Sequence, residues 1–170
     1  IERYLASLTK EELISLILKI APQTFLDAIN ARFASQSEAK AMFEKAAKAI
    51  NAILADETLL YAPSEFEAKL LEQLEKLRGL WEKLPAEIGD LLLKLIQKVE
   101  QAFEDGYLYI ERYDTGDEYF ESEVVNDYIF RFTSSLPTKM KSDYIEKLST
   151  LLESASYSTF LSLAERLPVS

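Results

Sequence analysis

The chain has 170 residues, is 48% hydrophobic and carries a formal net charge of −10, which fits one globular domain with a sizeable core. It has neither cysteine nor histidine, which excludes disulfides, zinc sites built from those residues, and Ser-His-Asp or Cys-His nucleophile systems. The acidic balance argues against nucleic acid as a direct partner, because phosphate contacts need clustered Lys and Arg. We therefore predict a protein that is not an enzyme and that uses no cofactor or metal.

Turn-forming residues are scarce, with four glycines and five prolines. A sheet protein of this size needs many more for its tight turns. Apolar residues recur at helical spacing along nearly the whole chain. The predicted fold is all-α, with about eight or nine helices stacked as antiparallel hairpins in a solenoid-like arrangement around one continuous core.

We predict a single domain over 1–170, with an acidic, tyrosine-rich insertion at about 104–121. The chain begins at Ile1 rather than Met, so we expect it to be a fragment of a longer protein. No apolar run reaches the ~18 residues of a membrane span, so no membrane partner is predicted. The absence of cysteine is compatible with the cytoplasm, which is the expected localisation.

The first predicted helices are marked by a capping signal and a proline. A short helix over 2–8 is followed by a capping box of Thr9 and Glu12, which opens a longer helix. That helix should end near residue 21, because Pro22 disfavours helical geometry in the residue before it. The next helix is predicted to begin at about Gln23.

Serine and proline signals mark the later helices. Ser37 is predicted to cap one helix, and Ser64 with Glu67 to form a second capping box after a connector. Pro85 suits the first turn of a helix that runs to about Glu104. The remaining predicted helices begin near 121 and span about 139–153 and 158–166.

Four aromatic residues are predicted to divide between core and surface. Trp81 continues the apolar stripe of its helix, which predicts core packing. Tyr128 and Phe132 share one helix face and should be buried, whereas Phe130 points elsewhere. An exposed Phe130 would indicate a partner surface.

The most distinctive stretch is 104–127, which has nine acids and one base and so accounts for −8 of the net charge. The rest of the chain is close to neutral. Aromatic residues are interleaved with these acids: Tyr107, Tyr109, Tyr113, Tyr119 and Phe120. Because both properties occur together only here, this stretch is the best candidate for a working surface.

Four interpretations of the stretch stay open. It is a loop that recruits a basic partner through steering carboxylates and rigid tyrosine contacts, or a passive connector whose tyrosines pack onto the helices. A cation site would use Asp114, Asp117, Glu118 and Glu121, although Gly116 precedes Asp117 and so breaks the EF-hand spacing. Acid–base catalysis by paired carboxylates would need a cleft that raises one pKa.

Several segments resemble a known family. These are the stretch YLASLTKEELISLILKIAPQTFLDAINARF at 4–33, the leucine-rich pair of helices at 70–103, the Asp-Thr-Gly-Asp turn at 114–117 and the closing STFLSLAERL. The chain is similar there to the helical region that accompanies SWIM zinc fingers in bacterial proteins. The finger's Cys-x-Cys…Cys-x-His set is missing, so the resemblance implies the helical region alone, without zinc, nucleic-acid binding or catalytic residues.

The leading functional prediction is a non-catalytic helical scaffold or protein-interaction module whose partner presents a basic protein surface. The predicted contact residues are Tyr107, Tyr109, Tyr113, Asp114, Asp117, Glu118, Tyr119 and Glu121. Two alternatives stay open. One is a small-ligand binder or enzyme that uses carboxylate or tyrosine chemistry in a pocket between helical hairpins, and the other is an oligomerisation domain.

Overall fold

A computed structural model of the protein describes residues 7–111, 116–120, 123–154 and 160–167. These residues form nine helices and one small two-stranded hairpin, which confirms the all-α class. The elements are α1 (Lys10–Ile20), α2 (Gln23–Phe33), α3 (Gln36–Leu54), α4 (Glu57–Leu60), α5 (Pro63–Arg78), α6 (Pro85–Glu104), β1 (Tyr109–Ile110), β2 (Glu118–Tyr119), α7 (Glu123–Ser135), α8 (Thr138–Glu153) and α9 (Leu161–Arg166). The predicted helix over 2–8 and the first residues of the predicted helix 158–166 lie largely outside the described part of the chain.

The predicted capping box of the first helix and the predicted break at Pro22 are confirmed. The Thr9 side chain accepts a hydrogen bond from the Glu12 amide at 3.2 Å, and the Glu12 carboxylate accepts one from the Thr9 amide at 2.8 Å. Helix α1 ends at Ile20, before Pro22, and α2 begins at Gln23. No helix within the described residues has both the length and the hydropathy to cross a membrane.

Two predicted caps were wrong. The residue that caps α3 is Ser35 rather than Ser37, because Glu38 lies three residues after Ser35 and completes the reciprocal capping box. Ser64 lies inside the first turn of α5, whose first residue is Pro63. Proline has its φ preset for that position and no N–H to satisfy, so it displaces the serine from the capping position.

Helix α5 is the centre of the packing. It contacts α2, α3, α4, α7 and strand β2, while α6 packs against α3 and α8. Helices α7, α8 and α9 contact one another in turn. The buried apolar residues form one cluster, as the sequence predicts, and its largest members include Phe66, Leu70, Leu74, Ile88, Leu92 and Phe132.

Four aromatic rings run through this core in edge-to-face contact. The Trp81 ring lies 5.2 Å from that of Tyr128 and 5.7 Å from that of Phe132, and the Phe132 ring lies 5.6 Å from that of Tyr144. The core assignments of Trp81, Tyr128 and Phe132 are thereby confirmed. Such pairs add about 0.5–1.5 kcal/mol each beyond the buried area.

Helix α9 is held against α7 by polar contacts. The Asp127 carboxylate pairs with Arg131 at 2.7 Å and with Arg166 at 3.0 Å. The Arg166 guanidinium also lies 4.2 Å from the centre of the Phe130 ring, so Phe130 is half-buried rather than an open partner surface. The buried Asn126 adds a side-chain hydrogen bond of 2.7 Å to Ser162.

The first two helices expose more apolar surface than the rest of the described chain. Helix α1 has no buried residue, and Leu18 and Ile20 are 61% and 68% exposed. On α2, Ala31 is buried but Phe33 is 80% exposed. The exposed large apolar residues of the two helices are Ile14, Ile17, Leu18, Ile20, Phe25, Ile29 and Phe33.

Candidate functional site

The acidic segment begins where α6 ends. Gly106 has φ 84°, a left-handed conformation that glycine adopts without a side-chain penalty. The Tyr107 amide donates to the Ala102 carbonyl at 2.8 Å and the Gly106 amide donates to that of Phe103 at 3.0 Å. These two bonds form a Schellman cap, which confirms the predicted helix end at Asp105-Gly106.

A short antiparallel hairpin follows, where the sequence predicted a connector or loop. Strands β1 and β2 pair with Tyr109 opposite Tyr119 and Ile110 opposite Glu118. One step before these pairs, the Phe120 amide donates to the Leu108 carbonyl at 3.0 Å. Each strand has two residues, so the hairpin depends on packing against the helices rather than on its own ladder.

Two apolar side chains anchor the hairpin in the core. Leu108 is fully buried, and its amide donates to the Leu60 carbonyl in α4 at 2.9 Å. Phe120 is buried against Phe66 and Phe103, with ring centres 5.6 and 6.4 Å away. Leu108 has φ 61°, which is costly for a residue with a side chain, and its burial offsets that cost.

Successive residues of a strand point to opposite faces, so the residue next to each of these two buried anchors is an exposed tyrosine. Tyr109 follows the buried Leu108 and is 45% exposed, while Tyr119 precedes the buried Phe120 and is 54% exposed. Because they are direct cross-strand partners, their side chains lie on one face of the hairpin. The Tyr109 hydroxyl donates to the Asp117 carboxylate at 2.9 Å, which fixes one of the two rings.

A second tyrosine pair lies where the hairpin meets α4. The Tyr107 ring contacts that of Tyr61 edge-to-face at 5.0 Å; Tyr107 is half-buried and Tyr61 is exposed. Negative charge at Glu57 is the main cause that raises the pKa of Tyr107. These two pairs and the carboxylates that act on them form what we call the tyrosine surface: Tyr61, Tyr107, Tyr109, Tyr119, Glu57, Asp105, Glu111 and Asp117.

Negative charge acts on both Tyr107 and Tyr109 in the tyrosine surface. The hydrogen bond to Asp117 raises the pKa of Tyr109, with a further contribution from the charge of Glu111. Asp105 adds to the effect of Glu57 on Tyr107. Apart from the phenol of Tyr61, the groups whose charge raises the pKa of these two phenols are the carboxylates Glu57, Asp105, Glu111 and Asp117, so this part of the described chain favours cations over anions.

The predicted contact residues fall into three groups. Tyr107, Tyr109, Asp117 and Tyr119 are brought together in the hairpin as described above. Glu118 lies in β2, with a side chain outside the described part of the chain, and Tyr113, Asp114 and Glu121 also lie outside it. The described residues contain no group of three acids that would hold a metal ion.

Sequence reasoning missed Tyr61 and Glu57. Both belong to the segment 56–63, which was predicted as a connector but contains the short helix α4 capped by Asp56. An Asp followed by Glu-Thr-Leu-Leu is an N-cap signal that would have found the helix. The contact of Tyr61 with Tyr107 joins residues that are far apart in sequence, and no local pattern encodes it.

Comparison of the chain with protein-family models, with curated proteins and with solved structures gave no match. The resemblance to SWIM-associated helical regions therefore stays a prediction.

Proposed function

We propose that the chain is a non-catalytic helical scaffold that binds a basic protein segment through the tyrosine surface. One observation carries the proposal: the hairpin buries Leu108 and Phe120 in the core and leaves Tyr109 and Tyr119 paired in solvent. A passive connector would favour the opposite placement, with its tyrosines packed onto the helices. The buried anchors hold the exposed rings in place before a partner arrives, which lowers the entropy lost on binding.

The chemistry of the surface selects the partner. Tyrosine supplies a large, rigid contact area at low cost in side-chain entropy. Its ring face also attracts lysine and arginine, and the surrounding carboxylates steer those cations toward it. A lysine- or arginine-rich segment therefore complements this surface in both charge and shape.

The test is a titration with a lysine-rich peptide at low salt and at roughly 0.5 M salt, followed at the backbone amides of residues 109 and 119 so that only binding at this surface is read. We expect binding that weakens at high salt, and a loss of about tenfold or more in affinity for a double variant with Tyr109→Ser and Tyr119→Ser. The matched control is Phe33→Ser with Val124→Ser, which removes two other exposed apolar side chains. Equal affinity of the two double variants for the peptide would contradict the proposal.

A second candidate function is self-association through α1 and α2. Seven large apolar side chains on these two helices are between 37% and 80% exposed, and exposed apolar residues concentrated in one region are typical of association surfaces. The acids Glu11 and Glu12 lie in the first turn of α1 and Lys19 lies in its last turn. Antiparallel pairing of two copies along α1 would bring these opposite charges together.

Sedimentation velocity at increasing concentration tests this second candidate. We expect a concentration-dependent dimer that a triple variant with Ile14→Ser, Leu18→Ser and Phe33→Ser converts to monomer. The Tyr109→Ser and Tyr119→Ser variant should dimerise normally, which separates this surface from the tyrosine surface. A wild-type chain that stays monomeric at every concentration would rule the dimer out.

A further inference from the structure

A second site with a buried polar group lies between α6 and α8. Its centre is Tyr144, which is 7% exposed and whose hydroxyl oxygen has no hydrogen-bond partner among the described residues. The ring packs edge-to-face on Phe132 at 5.6 Å. Buried polar groups in native proteins nearly always have a partner, so this hydroxyl calls for a ligand, a water molecule or a functional reason.

Tyr144 lines a cavity of about 210 Å³ between the two helices. Gly89 forms part of its wall, and a Cβ there would come within 3.0 Å of the Tyr144 ring. Glycine is therefore what allows the tyrosine ring to lie so close to α6. We call this cavity the Tyr144 cleft. Its other lining residues are Pro85, Ala86, Asp90, Leu136, Met140, Asp143 and Lys147.

A second space lies beside the Tyr144 cleft. It has a volume of about 550 Å³, is lined by residues of α6 and α8 that include Leu93 and Leu151, and shares Asp143 and Lys147 with the cleft. The volume of the cleft is many times that needed for a single water, so it has room for a long side chain. The neighbouring space gives room for the residues on either side of such a side chain.

The lining defines what fits. Asp90, Asp143 and Glu146 outnumber the single base, Lys147, so a cation is favoured over an anion. Leu136, Met140 and Pro85 offer apolar contact to an aliphatic stem. Burial and the charge of Asp90 raise the pKa of Tyr144, so at neutral pH the phenol is protonated and donates to a neutral acceptor such as a peptide carbonyl.

We propose that the Tyr144 cleft binds a lysine or arginine side chain of an extended peptide. Asp90 and Asp143 hold the cation, the apolar wall contacts the stem, and Tyr144 donates to a backbone carbonyl of the peptide. Less than 1 Å² of the Tyr144 oxygen is exposed, so one wall side chain must rotate on binding. Met140 has an unbranched, flexible side chain that suits this movement. The inference does not depend on the tyrosine surface.

The experiment is a titration of the full chain with the peptide acetyl-Ala-Ala-Lys-Ala-Ala-amide, followed by backbone amide chemical shifts. We expect shifts centred on Gly89, Asp90 and Tyr144, and none from a peptide with norleucine in place of lysine. The double variant with Asp90→Asn and Asp143→Asn should lose about tenfold in affinity. Glu153→Gln, on the same helix α8 but outside the cleft, is the matched control.

Tyr144→Phe isolates the role of the hydroxyl, because it keeps the ring and its packing. We expect its affinity to fall several-fold while the peptide's lysine specificity remains. Absence of shifts with the lysine peptide, equal shifts with the norleucine peptide, or unchanged affinity in Tyr144→Phe would each overturn the proposal. The Tyr109→Ser and Tyr119→Ser variant should bind this peptide in the cleft like the wild type, so failure here is distinguishable from failure of the tyrosine surface.

Discussion

Two regions of the core contain a buried tyrosine, and their hydroxyl groups differ. The Tyr128 hydroxyl accepts from the Trp81 ring N–H at 3.0 Å and donates to the Leu74 carbonyl at 2.6 Å. The Tyr144 hydroxyl makes no hydrogen bond within the described residues. Burial raises the pKa of both phenols, so both are neutral donors under ordinary conditions.

The difference separates a hydroxyl that stabilises the fold from one for which we propose a role in binding. Tyr128 is enclosed by α5, α7 and Trp81, and its two hydrogen bonds tie these elements together. Tyr144 lies beside a cleft lined by charged residues, and it carries a desolvation cost of about 1–3 kcal/mol without a matching bond. A cost of this kind persists in a folded protein where the polar group has a task other than stability.

The largest effect is expected where the two regions meet. The Phe132 ring contacts both Trp81 and Tyr144, so Phe132→Ala removes a packing contact from each region at once. We expect a loss of about 3–5 kcal/mol in the free energy of unfolding, measured by chemical denaturation. Phe33→Ala, at an exposed position, should change it by less than about 0.5 kcal/mol. Similar losses in the two variants would mean that the core has been misidentified.

Removing each hydroxyl in turn tests the comparison directly. Tyr128→Phe leaves the Trp81 N–H without its acceptor, so we expect a loss of about 1–2 kcal/mol in stability. Tyr144→Phe breaks no hydrogen bond and removes a buried hydroxyl that has no partner among the described residues, so we expect it to raise stability by about 1–3 kcal/mol. Because the two changes delete the same atom from the same residue type, each is the control for the other. Equal losses of stability in the two variants would show that the two hydroxyl groups do not differ in their contribution to folding.

Much of this core could be predicted from the sequence. The spacing of Trp81, Tyr128 and Phe132 on amphipathic helices places them inside, because helical periodicity directly encodes burial. The end of α1 and the beginning of α2 follow from Pro22, and the end of α6 follows from Gly106, because the backbone preferences of these residues are local. Where two local signals competed, as with Pro63 and Ser64, the prediction of the cap failed.

The two proposed binding surfaces were less predictable, because they depend on contacts between distant segments. The charge of the acidic stretch was visible, but its division into buried anchors and exposed tyrosines requires Phe66 and Leu60 as packing partners. A strand of two residues has no periodicity to detect. The Tyr144 cleft was not foreseen, since it arises from Gly89 facing Tyr144 across two helices.

Gly89 allows the close approach that distinguishes the Tyr144 region. An added Cβ would lie 3.0 and 3.2 Å from the Tyr144 ring atoms Cε2 and Cδ2 and 3.8 Å from the Phe132 ring. The ring has Phe132 behind it, so we expect Gly89→Ala to lower stability by about 1 kcal/mol despite alanine's better helix propensity. In a Tyr144→Leu background the same change should become neutral or stabilising, because the ring is gone. A double-mutant cycle measures this coupling, and strict additivity would show that the ring does not depend on the glycine.

The smallest effect is expected on lowering the pH. Acid should leave the two buried tyrosines protonated as before and should weaken the ion pairs of Asp127 with Arg131 and Arg166, which we call the α9 clamp. The hydrogen bond from Arg166, together with the charge of Arg131, lowers the pKa of Asp127. A carboxyl group whose pKa is lowered by folding contributes stability above its unfolded pKa of about 3.9, and loses it as the pH falls through the folded value. We therefore expect amide protection in α9 to fall in that acidic window, before protection near Tyr128 does. Hydrogen exchange across the window measures this, with Asp127→Asn as the control, because it cannot titrate. If α9 loses protection at the same pH in that variant as in the wild type, the clamp is not the cause.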